Sequence, residues 1–203
     1  TGVAIRDLRK HYGDTRALDG LDLEAHPGQV LGIAGPNGAG KSTLIKILAG
    51  EERADDGDLT VDGVRWTPSL AASRVAVVHQ EPQLFPNLSV AENMLVGREG
   101  TRFLRPRLGA AERTLMDSLG IGTLARRPLE SVALASQQRT EIARALAREA
   151  RVFLFDEPNS ALTDDESDEL FREMRSLADA GRIVLFVTHR LGEMVAHCDR
   201  VAV

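Results

Sequence analysis

One stretch, Gly35-Pro36-Asn37-Gly38-Ala39-Gly40-Lys41-Ser42-Thr43, limits what this chain can fold into more than any other. It fits G-x-x-x-x-G-K-[ST], with the apolar run Val30-Leu31-Gly32-Ile33-Ala34 before it. A helical run from about Ser42 follows, which Gly50 would stop. A buried strand passing through a glycine-rich turn into a helix is the start of an α/β sheet. Its backbone N–H groups curl toward one point, and the helix N-terminus adds partial positive charge there. That is a phosphate cradle. Lys41 would bridge the β- and γ-phosphates, the Ser42 hydroxyl would ligate Mg²⁺, and Gly35 to Thr43 together would form the nucleotide loop.

A second motif supports the first. Val152-Phe153-Leu154-Phe155 is a buried strand ending in two acids, Asp156 and Glu157. At the C-terminal edge of a parallel sheet these carboxylates fall beside the phosphate loop. Asp156 would hold Mg²⁺, directly or through water, and Glu157 is placed to polarise the water that attacks the γ-phosphate. Two further apolar strands end in polar residues, Gln80 after Val75–His79 and His189 after Ile183–Thr188. Gln80 could sense Mg²⁺ or the attacking water, and His189 could bond the γ-phosphate; from position alone, a capping role suits each equally.

The rest of the chain reads as follows. Val3-Ala4-Ile5 to Leu21-Asp22-Leu23 gives alternating strands around a Tyr12-Gly13-Asp14 turn, and Asp55 to Asp58 is a turn before a strand over Leu59–Val64. Residues 89–150 are mostly helical, a subdomain inserted between core segments 1–88 and 151–203. A helix with Asp164, Asp165 and Glu166 in its first turn buries Leu170, Met174, Leu177 and Ala178. A short helix around Leu191–His197 leads to Val201-Ala202-Val203, which reads as the opening of a strand and suggests part of a longer protein.

Composition narrows the function. A net charge of −5 argues against nucleic acid as a partner, and the single Cys198 excludes an internal disulfide and fits a reducing compartment. No signal peptide opens the chain and no apolar run approaches a membrane span, so the expectation is a soluble chain that meets membranes through a partner.

Taken together, Gly35–Ser42, Gln80 in Val-Val-His-Gln-Glu, Asp156-Glu157-Pro158 followed by Ser160-Ala161-Leu162, and His189 resemble the nucleotide-binding domain of ATP-binding cassette (ABC) proteins. The resemblance covers nearly the whole chain in the right order. It implies a P-loop ATPase core with an antiparallel β part and an inserted helical subdomain, and Tyr12 as the aromatic that stacks on adenine. Within that family, Gln80 to Asn93, Ser160-Ala161-Leu162-Thr163 and Thr188-His189-Arg190-Leu191 resemble the ATPases of simple-sugar importers of the ribose, xylose and galactose type. Those carry two fused ATPase halves, and this chain looks like the first. The implied cofactors are ATP and Mg²⁺. The implied partners are a second ABC ATPase domain, membrane permease subunits and, indirectly, a periplasmic or extracellular sugar-binding protein, at the cytoplasmic face of the membrane. A docking role for residues 82–110 against the membrane subunit is implied by the family alone.

Two segments depart from the family. The signature segment falls on Val132-Ala133-Leu134-Ala135-Ser136: Ala133 replaces the serine that binds the γ-phosphate of the opposite subunit's ATP, and Ala135 replaces a glycine. In the family's head-to-tail dimer the defect belongs to the composite site on the partner's phosphate loop. The site built on Lys41 would then be the hydrolytic one, provided the partner's signature is intact. The other departure, Asn159 for threonine, is expected to change little.

Two rivals are weaker. A soluble ABC ATPase of DNA maintenance needs room for long coiled coils, yet Gln80 and Ala133 are only 53 residues apart; one of translation keeps its signature and carries basic linkers. A degenerate half that holds ATP for regulation fits the eroded signature but not an intact Gln80, Glu157 and His189. His11, His26, His79 and His197 lack metal-ligand spacing and read as surface or capping residues, Cys198 and Trp66 as packing, and Arg105 to Arg107 and Arg126-Arg127 as solvated.

Overall fold

The computed structural model describes residues 2–36, 38–79, 82–96, 108–147, 150–159 and 162–203. Two sheets share the chain. β1 (Val3–Tyr12) and β2 (Thr15–Ala25) form an antiparallel pair, and β4 (Asp56–Val61) joins β1 on its other side. Where a continuous strand was expected over Leu59–Val64, the chain turns at Asp62-Gly63 and pairs back as β5 (Val64–Arg65). Asp62 and Gly63 both take positive φ, the conformation of a two-residue hairpin turn.

The second sheet is parallel, in the order β6 (Val75–His79), β7 (Val152–Asp156), β8 (Ile183–Val187), β3 (Val30–Ile33), β9 (Arg200–Ala202). Its central strands are buried on both faces, which is why they read as continuous apolar runs. Phe153, Phe155, Val184 and Phe186 face one core; Val152, Leu154, Ile183 and Leu185 face the other. The second core is closed by the antiparallel sheet and α1 (Lys41–Ala49).

Over the first core lie α3 (Val90–Leu95), α4 (Ala110–Ser118), α5 (Leu134–Ala147), α6 (Asp164–Asp179) and α7 (Leu191–His197). Met94, Met116 and Ile142 of the helical stretch pack in the same cluster as Phe153 and Phe155, so α5 is fixed directly to the sheet. α2 (Pro68–Arg74), unforeseen from the sequence, is capped by Thr67, whose hydroxyl accepts from Leu70 N. No helix among the described residues is long and apolar enough to cross a membrane.

Candidate functional site

The C-terminal ends of β3, β7 and β8 open onto a cleft of about 770 Å³. Gly38, Gly40, Lys41, Ser42 and Thr43 form one wall; Asp156 and Glu157 form the other. Gly40 makes the turn into α1 with φ 86°, and a Cβ there would fall 2.3 Å from the Ala17 carbonyl oxygen. Only glycine fits that position. Lys41 Nζ donates to the carbonyls of Gly35 and Pro36, at 2.6 and 3.0 Å, which keeps its charge inside the curl of the loop. Asn37 and Gln80 lie outside the described residues.

At the end of β7 the two acids differ. Burial holds the Asp156 carboxyl above its ordinary range, and the neighbouring Glu157 pushes the same way. Glu157 itself sits at φ 45°, a strained left-handed conformation for a side chain of this kind, and its N–H donates to Val187 O at 2.9 Å. Its Oε1 lies 3.1 Å from Nδ1 of His189, so the ends of β7 and β8 meet at this pair. Two adjacent, partly buried acids facing a lysine and a serine hydroxyl suit a hard divalent cation. Among the described residues no group of three or more acidic, His or Cys side chains could hold a metal ion by itself.

Tyr12 pairs with Thr15 across the β1–β2 hairpin, which reaches the cleft through Thr15, Arg16 and Ala17. The tyrosine is 45% exposed, its hydroxyl donates to Glu52 Oε2 at 3.4 Å, and Lys10 Nζ stands 5.3 Å from its ring centre.

His79 corrects the sequence expectation of a surface or capping residue. It lines the cleft, and its Nδ1 lies 3.7 Å from Oε1 of the buried Glu141 on α5. That is too long for a hydrogen bond, yet the carboxylate still raises the imidazole's pKa. Glu141 also accepts from the backbone N–H of His79 (3.4 Å) and of Gln83 (3.1 Å). The expectations for Trp66, whose Nε1 donates to Ile47 O, and for the exposed Arg126 and Arg127 agree with the structure; Arg105 to Arg107 lie outside the described residues. Cys198 is half-buried, its thiol pushed up to about 11 by burial.

The segment Val132–Ser136 runs into the start of α5. Ala133 O accepts the first helical hydrogen bond, from Gln137 N, so an exposed methyl occupies the position where a capping oxygen is favoured.

The model of the ABC transporter family matches residues 18–160. The chain belongs to that family. It is 44% identical over 207 residues to the ribose import ATP-binding protein RbsA 2 of Streptomyces avermitilis and 45% identical to RbsA 1 of Streptomyces coelicolor, in each case across 98% of this chain and 41% of the relative. It is also 41% identical to the arabinose import ATP-binding protein AraG of Burkholderia pseudomallei, across 95% of this chain and 40% of the relative. The chain therefore spans about two fifths of the length of these relatives. The crystal structure of the ADP conformation of MJ1267, an ATP-binding cassette of an ABC transporter, superposes with TM-score 0.87 at 25% identity, over 98% of this chain and 85% of that one. The fold is that of an ABC ATPase core, antiparallel sheet included.

Proposed function

We propose that this chain binds Mg-ATP and, paired with a second ATPase domain, hydrolyses it to drive import of a simple sugar. The observation that carries the chemistry is the meeting of Lys41, Ser42, Asp156 and Glu157 around one cleft, with His189 bonded to Glu157. Catalysis in such a site is positioning and electrostatics. Lys41 and the N–H groups of the loop hold the β- and γ-phosphates. Ser42 and Asp156, with Gln80 as a further donor, would hold Mg²⁺, which supplies neutralisation of charge building on the leaving oxygen. Glu157 takes the proton of the attacking water while His189 orients the γ-phosphate. Tyr12 stacks on adenine. Residues 89–150 act as a helical subdomain that carries the eroded signature.

The sugar is supported by the names of the relatives, which are ribose import ATP-binding proteins; the permease subunits, the sugar-binding protein and the location at the cytoplasmic face of the membrane are what the family resemblance implies. Nothing in the charge or the cleft favours nucleic acid. Calorimetry of this chain with ATP and Mg²⁺, beside turnover of the paired assembly, tests the reading. Binding that Lys41→Ala weakens by about a hundredfold, and turnover that chelation of Mg²⁺ abolishes, are expected. ATP affinity unchanged in Lys41→Ala would overturn the site; turnover indifferent to any sugar-loaded binding protein would overturn the transport role.

A further inference from the structure

Asn159, which stands where the family carries threonine, is 4% exposed and two residues beyond Glu157. Its Nδ2 donates to Glu193 Oε1 at 2.9 Å, across to the first turn of α7. The same Glu193 oxygen accepts from Arg190 Nη1 at 2.9 Å, and the other accepts from the hydroxyl of Thr188, 2% exposed, at 3.4 Å. Thr188 Oγ1 in turn accepts from Arg190 N at 3.1 Å. So the residues on both sides of His189 converge on one carboxylate, and that carboxylate is tied to the segment that follows Glu157.

The other side of that segment is fixed as well. Gln138 of α5, fully buried, donates through Nε2 to the carbonyl of Pro158 at 2.6 Å. Held at Pro158 and tied at Asn159, the strained turn at Glu157 has little freedom to move away from His189. A threonine at 159 has its polar atom one bond nearer the backbone and presents a single hydroxyl. The expectation that the exchange changes little therefore does not fit the contacts.

We infer that Asn159 and Glu193 form a latch that positions His189 against Glu157, setting the hydrolytic geometry without touching nucleotide. This rests on the reading of Glu157 and His189 as the hydrolytic pair. It makes Asn159 and Glu193 positioning residues, so they act on kcat and not on ATP binding.

The test measures kcat, KM and calorimetric ATP affinity in the paired ATPase assembly for four variants. Asn159→Asp sets two carboxylates face to face and is expected to lower kcat between about tenfold and about a hundredfold, with KM within about twofold. Asn159→Thr, which shortens the donor, should fall between Asn159→Asp and the parent. Combining Asn159→Asp with Glu193→Gln reverses donor and acceptor: the glutamine amide donates to the new carboxylate and its oxygen still accepts from Thr188, while Arg190 Nη1 loses the Glu193 oxygen it bonded. That pair should regain part of the lost kcat, which a merely structural role does not predict. Glu157→Gln is the fourth variant and tests the underlying site.

If Asn159→Asp and Asn159→Thr turn over like the parent while Glu157→Gln is inactive, the latch is overturned and the site stands. If the double variant stays as slow as Asn159→Asp, or if both lose ATP binding, the effect does not run through Glu193 and the latch is again overturned. If Glu157→Gln keeps full turnover, the hydrolytic reading itself fails.

Discussion

In the proposed function two helix N-termini of this molecule face phosphate, one its own nucleotide's and one a partner's, and they are built differently. α1 opens from Gly38 and Gly40, both at φ 86°, with a lysine at its first position. α5 opens from Ala133 and Leu134, with Ala135 behind them and no glycine or hydroxyl from Val132 to Ala135. The helix dipole is common to both. What differs is how closely backbone can approach an anion and how many donors are aimed at it. A dipole alone makes a weak anion site; curled N–H groups with a cation make a strong one. On the proposed reading, the α1 end is equipped to hold this chain's own nucleotide, and the α5 end offers a partner's nucleotide much less.

The sharpest way to break this contrast is to damage each end separately. Gly40→Ala puts a Cβ 2.3 Å from Ala17 O, against backbone that cannot yield. ATP affinity should fall by about a hundredfold or more, because the donors lose their common focus. Ala133→Ser at the other end should leave ATP affinity of this chain unchanged. Equal losses by calorimetry would mean that the two ends are not independent.

Next in size is the asymmetry between the two composite sites. Glu157→Gln removes the base from the site built on Lys41 and should cost most of the turnover of the paired assembly, about 10²-fold or more at that site. If substantial turnover persists, this chain's site is not the hydrolytic one. Restoring the signature with Ala133→Ser and Ala135→Gly together should raise turnover at the partner's site by roughly tenfold, one charge-assisted hydrogen bond's worth. No gain would mean that the partner's own site is silent for another reason.

The α1 end was legible in the sequence because its chemistry is local. A strand, a glycine turn, a lysine and a helix follow one another within Val30 to Gly50, and Asp156-Glu157 announces itself as two acids on an apolar strand. Contacts between distant residues were not legible. Glu141 reaches the backbone of His79 and Gln83 across about sixty residues, and nothing in either neighbourhood marks the pairing. Glu193 was invisible for the same reason, and Asn159 was visible only as a departure whose partner could not be named. α2 was missed although Thr67-Pro68 is a good helix start, because only Ala71 of the helix is buried and its apolar signal is slight. The hairpin at Asp62-Gly63 carried its own turn signal, hidden by the apolar residues on either side.

The smallest effect is in stability, where opposite substitutions at the two ends both cost. At Gly38 no atom lies within 4 Å of where a Cβ would be, so Gly38→Ala costs only the left-handed φ, about 1 kcal/mol. At the second residue of α5, Ala135→Gly gives up helix propensity and costs about 0.5 kcal/mol. Chemical denaturation of the two variants, read at their midpoints, checks both signs. Destabilisation by both substitutions means that each end is built for its present residue: glycine where backbone must curl around phosphate, alanine where the helix is simply secured. A gain from Ala135→Gly would mean that the α5 end is strained by its alanine, still holding the backbone of a phosphate site it no longer completes.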